Sequence, residues 1–288
     1  VSGSRLSRLL RPESLAFVGG TAAERAVDAC RSMGFDGEMW GVNPRRRLRG
    51  LPTAASVSEL PAAVDAAFVG VSRHAAVSVV RELAALGAGA AVCYASGFAE
   101  SGPKGAALQR DLAAAAAGMP LVGPNCYGTL SAVTGAALWP DLHGLNRCER
   151  GIALISQSGN IAVNLTMQRR GLPVAHVVTV GNQADVSLAE VFEALAADES
   201  VIGVGLYAEE IDDVGRFAAA CAHARRRHLP VAILKAGASQ ASQAIAVTHT
   251  SSMAGSDAAY DALFRRLGVR RVRTVSELLD TLAVLCAV

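Results

Sequence analysis

Leu15-Ala16-Phe17-Val18-Gly19-Gly20-Thr21-Ala22-Ala23-Glu24-Arg25, continued with helical spacing to Met33, is the stretch on which the fold turns. The apolar run Leu15 to Gly19 reads as a short buried strand, Gly-Gly as a tight turn, and Ala23 to Met33 as a helix. The alternation continues outward from it. Strands are read at Met39 to Asn43, Ala66 to Val71, Ala90 to Tyr94 and Pro120 to Val122, with helices near Ala75 to Leu86 and Lys104 to Ala117. Strands that alternate with helices imply a parallel sheet covered on both faces.

After Trp139-Pro140 the pattern breaks into the polar stretch His143 to Arg150, which has no apolar period. A domain boundary is placed there, between residues 147 and 148. A second series follows: strand Ile152 to Ile155, helix Asn160 to Arg170, strand Val174 to Thr179, helix Leu188 to Ala197, strand Val201 to Leu206, helix Val214 to His228 and strand Val231 to Leu234. A long polar loop and two helices, Asp257 to Leu267 and Val275 to Ala287, complete it. The fold class expected is α/β, with doubly wound domains over 1–147 and 148–288.

Composition narrows the function classes. A chain of 288 residues, 51% hydrophobic and 18% charged, has material for two buried cores and is not a disordered or fibrous protein. Its formal charge of +2 cannot supply the field of a dedicated nucleic-acid binder. The apolar runs are too short and too often broken by Gly, Arg or Pro to cross a bilayer, so neither a membrane span nor a secretory leader is expected. Cys30, Cys93, Cys126, Cys148, Cys221 and Cys286 form no C-x-x-C pair. No metal site and no disulfide framework are expected, and a reducing, cytoplasmic setting fits.

In doubly wound sheets ligands bind beyond the carboxyl ends of the strands. The first such loop, Gly19-Gly20-Thr21, lacks full G-x-G-x-x-G spacing. The second strand ends in Asn43-Pro44-Arg45-Arg46 instead of an acid for ribose hydroxyls. Guanidinium groups there suit a phosphorylated ribose, as in NADP or the 3'-phospho-ADP of coenzyme A; a solvated surface turn explains them equally well. Ser96-Gly97 and the run Gly123-Pro124-Asn125-Cys126-Tyr127-Gly128 follow later strands and face the same crevice, although tight turns account for both.

In the second series Ser156-Gln157-Ser158-Gly159 joins a strand to a helix with small polar residues, whose free N–H groups suit a phosphoryl group. It lacks the leading Gly of a hydrolase nucleophile elbow. His249 lies in the small-residue loop Thr248 to Gly255, and neutral imidazole can carry a phosphoryl group. Glu209, at the end of the strand Val201 to Tyr207, stands on the same sheet edge, where a carboxylate can fix the imidazole tautomer. A solvated loop histidine and an exposed strand-end acid are the plainer readings of these two residues.

Taken in order, Leu15 to Gly20 with Gly41-Val42-Asn43-Pro44, Ser96 to Glu100, Gly123 to Gly128, Ile155 to Gly159, Val180 to Asp185, Tyr207-Ala208-Glu209, Leu234 to Gly237 and Thr248 to Gly255 resemble the NDP-forming acyl-CoA synthetase superfamily. That superfamily includes ADP-forming acetyl-CoA synthetases and the alpha subunit of succinyl-CoA synthetase. The resemblance implies a Rossmann-like CoA-binding domain followed by a flavodoxin-like domain with a phosphorylatable histidine. It puts that histidine at His249 with Glu209 as its partner, and a phosphate site at Ser156, Gln157, Ser158 and Gly159. Coenzyme A is put over Gly19, Gly20, Thr21, Asn43, Pro44, Arg45, Arg46, Ser96, Gly97 and Asn125.

The implied reaction converts acyl-CoA and phosphate to acyl phosphate and CoA, then moves the phosphoryl group through His249 to ADP or GDP. Mg and ATP or ADP belong to an ATP-grasp region, which implies a beta-type partner subunit or a further domain and an oligomer as the working unit. Three departures from the family pattern stand out: Glu24 in the first loop, Ser251 with the Gln- and Ser-containing loop Gly237 to Ala246, and Asn160 at the helix start. Two other readings compete, a non-catalytic CoA- or acyl-CoA-sensing module and an NADP-dependent oxidoreductase.

Overall fold

A computed structural model of the protein describes residues 3–237 and 257–287. Its first sheet is built from β1 (Ser14–Gly19), β2 (Glu38–Val42), β3 (Thr53–Ala54), β4 (Ala66–Gly70), β5 (Ala91–Cys93) and β6 (Leu121–Val122), all parallel, in the order β3-β2-β1-β4-β5-β6. The strand direction of travel reverses between β1 and β4, which makes the loops after those strands the switch point where ligands bind. Helices α2 (Thr21–Ser32), α3 (Arg73–Leu86) and α4 (Pro103–Ala116) cover the sheet, and a single turn, α1 (Ser7–Leu10), precedes it. The middle residues of β1 and β4 are buried on both faces, as continuous apolar runs require. Gly87 ends α3 in the left-handed region at φ 83°, and Pro103 starts α4, where its missing N–H costs nothing.

The second sheet runs β13-β12-β11-β9-β10-β7-β8. Its parallel strands are β9 (Gly151–Ser156), β10 (Val174–Thr179), β11 (Val201–Ala208), β12 (Val231–Lys235) and β13 (Arg270–Val272). β9 is central, with β10 on one side and β11 on the other, so the loop after β9 is the second switch point. The sheet edge departs from the parallel expectation. β7 (Thr129–Ser131) and β8 (Ala137–Leu138) form an antiparallel hairpin, and β7 pairs antiparallel with β10. Both precede residue 148, so the second sheet reaches back into the earlier part of the chain.

Among the described residues the helices of this half are α5 (Gly159–Thr166), α6 (Leu188–Ala196), α7 (Val214–Arg226), α8 (Asp257–Leu267) and α9 (Val275–Cys286). Ser187, Asp213 and Thr274 cap α6, α7 and α9 by accepting from the backbone N–H three residues on. α5 stops at Thr166, short of the Arg170 read from the sequence. The Gln168 side chain closes a turn there, donating to Leu172 O and accepting from Arg170 N, and Arg170 leaves to pair with Asp280 on α9.

The halves are joined through their cores and through charge. One apolar cluster runs without a break from Phe17, Cys30 and Phe68 through Trp139 to Ile155, Phe192 and Leu282. Arg5 bonds Asp185 and Glu190, and Arg11 bonds Asp198, all on the second half, while Arg8 bonds Asp65 on the first. α1 is thereby a strap across both.

Candidate functional site

The carboxyl ends of both sheets open into one crevice of about 1520 Å³. On the first sheet's side Ala22, Gly70, Arg73, Ser96 and Asn125 line it, and on the second's Gln157, Ser158, Gly159, Asn182 and Glu209. Gly19 has φ 133° and its backbone lies against Gly70, where a Cβ would collide with the Gly70 carbonyl. Only glycine satisfies both the dihedral and the close strand approach.

The first-sheet candidates gather beside this opening. Asn43 donates to Gly19 O (2.8 Å) and its side-chain oxygen accepts from the backbone N–H groups of Arg45 and Arg46, so the loops after β1 and β2 are locked together. Arg46 stands 3.9 Å from the position of a Gly20 Cβ and pairs with Glu24 at 3.2 Å. The acid that departs from the family pattern therefore carries its own counter-ion. Gly19, Gly20, Thr21, Asn43 to Arg46 and Gly97 lie outside the crevice lining, with Gly19 packed against the lining residue Gly70, whereas Ser96 and Asn125 line it.

Arg73 was not singled out in the sequence. It opens α3 directly after the switch-point strand β4 and donates to Gly97 O at 2.9 Å across the crevice mouth. Its signal was positional: a guanidinium two residues past Val71, on a loop that meets ligands in this topology. Gly97 leaves the room it needs, since a Cβ there would lie 2.6 Å from the guanidinium.

A polar junction closes the crevice floor. Asn182 donates to Glu100 and Gln109 and accepts from Asn125, linking the loop after β10 to the first half. Burial pushes the Glu100 carboxyl up. The hydrogen bonds from Asn182 and the backbone N–H groups of Gly97 and its neighbours outweigh that and hold it below the usual carboxylate range.

At the second switch point the side chains of the loop hold the loop itself. Ser156 is fully buried, donating to Ser158 O at 2.6 Å and accepting from Ser158 N at 3.1 Å. Gln157 accepts from the N–H groups of Glu209 and Glu210 and donates to Glu210 O. Ser158 caps α5 through Ile161 N. Gly159 and Asn160 line the crevice at the positive end of α5, a place that suits a phosphoryl group. Glu209, just past the end of the neighbouring strand β11, lines the same crevice. Lys235, buried at the end of β12, lies 4.6 Å over the Tyr260 ring, and burial lowers its pKa. His249 lies outside the described residues.

No described helix is long and apolar enough to cross a membrane. All six cysteines are free, and burial raises the Cys126 thiol.

Comparison with known proteins points one way. Residues 13–132 match a CoA binding domain, and residues 149–285 match a succinyl-CoA ligase like flavodoxin domain. A trans-feruloyl-CoA synthase from an unknown prokaryotic organism is 35% identical over 97% of this chain and 41% of its own length. The alpha subunit of an ADP-forming acetate–CoA ligase I from Pyrococcus furiosus is 30% identical over 96% of this chain and 62% of its own. Among solved structures, the dinucleotide-forming acetyl-coenzyme A synthetase 1 of Ca. Korarchaeum cryptofilum, in complex with phosphate and ADP, superposes with a TM-score of 0.89. It is 28% identical, over 98% of this chain and 62% of that one. The chain thus spans between two-fifths and two-thirds of the length of these relatives.

Proposed function

Given that the chain belongs to the NDP-forming acyl-CoA synthetase superfamily, we propose that it is the CoA-binding, alpha-type component of an NDP-forming acid–CoA ligase. The observation that carries this reading is the single crevice joining the two switch points. One end offers the glycine backbone of Gly70 and the Arg73 guanidinium, with Arg46 beside the neighbouring Gly20; the other offers a helix N-terminus and a carboxylate. Residues 1–147 form the CoA-binding part and residues 148–288 the part that carries the phosphohistidine, with the β7–β8 hairpin reaching from one to the other.

Coenzyme A supplies the thiol that attacks or leaves the acyl carbon. Gly19, Gly20 and Thr21 let its diphosphate approach the backbone, Asn43 holds the Pro44-Arg45-Arg46 turn against that loop, Ser96 and Asn125 line the path of its thiol arm, and Gly97 holds Arg73 beside it. At the far end the α5 N-terminus, with Ser156, Gln157, Ser158 and Gly159, neutralises phosphoryl oxygens. Glu209 stabilises the imidazolium formed when His249 takes up the phosphoryl group from the acyl phosphate. A small carboxylic acid is the other product, and ADP or GDP with Mg is served by an ATP-grasp beta-type subunit or further domain in an oligomer. A cytoplasmic setting agrees with six free thiols.

Calorimetric titration with CoA, dephospho-CoA and NADP tests the first half of the reading. CoA should bind, and more weakly without the 3'-phosphate; NADP binding in its place would turn the reading to an oxidoreductase. The second half is tested with an ATP-grasp partner and labelled ATP. Acid-labile label should appear on the chain and vanish in His249→Ala with CoA binding intact. CoA binding without any label would leave a sensing module.

A further inference from the structure

The crevice has an aromatic wall to which the CoA and phosphoryl contacts proposed above give no part. Tyr94, just past the end of β5, is 37% exposed, and Tyr127 is partly exposed; both line the crevice. Their ring centroids are 6.1 Å apart and the planes meet at 76°. Each ring is backed by another that is fully buried, Phe68 at 5.9 Å from Tyr94 and Trp139 at 5.3 Å from Tyr127. The buried rings behind them limit how far they can turn away from the crevice.

Burial, with the Asp141 carboxylate nearby acting in the same direction, raises the Tyr127 pKa, so the ring meets the crevice as a neutral phenol. Its place is specific. The Tyr127 ring lies on the Cα of Gly159, the first residue of α5, and follows directly on Asn125 and Cys126. It therefore stands between the CoA side and the phosphoryl side. In an acid–CoA ligase the acyl carbon must meet both, so the tail of the acid has to lie against this wall.

We propose that Tyr94 and Tyr127 form the acid-selecting wall of the crevice and that the acid taken is an aryl carboxylic acid. This rests on the acid–CoA ligase reading. An acetate-sized acid offers one methyl group to two ring faces and leaves both wet, whereas an aryl tail packs face-to-edge against the perpendicular pair, the arrangement that aromatic rings favour.

Phenylacetate and acetate differ only by the ring, so their binding to the purified chain, by equilibrium dialysis with saturating CoA and phosphate present, tests the wall. Phenylacetate should bind at least tenfold more tightly than acetate. Tyr94→Leu and Tyr127→Leu should each weaken phenylacetate about tenfold while CoA affinity stays unchanged. Tyr127 packs on α5 and on Trp139, so if Tyr127→Leu does not fold, Tyr94→Leu, with its fold checked by thermal melting, decides. Equal binding of the two acids, no phenylacetate binding, or phenylacetate binding indifferent to the tyrosines overturns the proposal. So does a Tyr94→Leu variant that loses CoA and keeps phenylacetate. CoA titration of the same samples separates the two readings: tyrosine-dependent phenylacetate binding without CoA binding sinks the ligase and keeps the aryl site. CoA binding without it sinks the aryl site alone.

Discussion

Gly159 shows how a single missing side chain sets the crevice. A methyl group at this position would run into the Tyr127 ring, which is itself pinned against buried Trp139. Overpacking of that kind costs about 1–3 kcal/mol. Gly159→Ala should lower the urea midpoint of unfolding by a corresponding amount, and an unchanged midpoint would mean that Tyr127 yields freely. A second residue-scale feature lies away from the crevice. His176 is buried beside Ser200 (3.4 Å) and Asp198 (3.7 Å), and Asp198 is held by Arg11 and Ser200. Burial lowers the His176 pKa to about 4, with Arg11 acting in the same direction and Asp198 opposing. For Asp198 burial acts upward, but the bonds from Arg11 and Ser200 outweigh it and place the carboxyl at about 2. Between about pH 6.5 and 4 the unfolded chain takes up a proton on His176 that the folded chain refuses. Stability is therefore full above that window and lost as pH falls through it, on the order of 3 kcal/mol. Asp198 extends the loss toward pH 2. Thermal melts across this range should show the fall, and His176→Gln should flatten its upper part; a wild-type profile flat from pH 6.5 to 4 would contradict the argument.

At the scale of elements, the loop between β9 and α5 is fixed to the end of β11 by one side chain. Gln157→Leu removes its bonds to the backbone of Glu209 and Glu210 and leaves partly buried N–H and C=O groups without that partner, a loss of about 1–3 kcal/mol per group. Amide hydrogen exchange at residues 209 and 210 should speed up by more than tenfold, with α9 unchanged; equal protection in the variant would remove Gln157 as the tie. This tie was hidden from the sequence, where Gln157 reads as one polar residue of a phosphate loop and nothing marks its side chain as spent on a neighbouring strand. The long apolar runs were legible because strands buried on both faces leave no polar alternation: β1, β4, β9 and β10 fall within a residue or two of their sequence limits. β3, β7, β8 and β13 were not, since two or three residues carry no period. The crevice residues Ser96, Asn125, Ser158 and Glu209 were legible from strand ends and topology. Arg73 was missed because its helix start carries no motif, and Tyr94 because an aromatic at a strand end reads as core.

At the scale of the whole molecule, two sheets that each need covering are made into one body by the shared core and by the α1 strap. The strap's charges matter because their partners are buried: Asp198 has a fully buried side chain and Glu190 is only 3% exposed. Arg216 also reaches Glu190 at 3.2 Å, so loss of Arg5 is partly compensated, whereas no other arginine is recorded on Asp198 among the described residues. Removing one partner of a buried pair is costly, about 3–5 kcal/mol, because the remaining charge stays desolvated. Arg11→Ala should therefore destabilise strongly and Arg5→Ala weakly. The loss falls on the second half, where Asp198 sits between α6 and β11, while the first half keeps Arg8 on Asp65. Differential scanning calorimetry of Arg5→Ala/Arg11→Ala should show the wild-type transition splitting, with the new component at lower temperature. A single transition at the wild-type temperature would mean that the shared apolar core alone binds the halves and that the strap contributes nothing to their union.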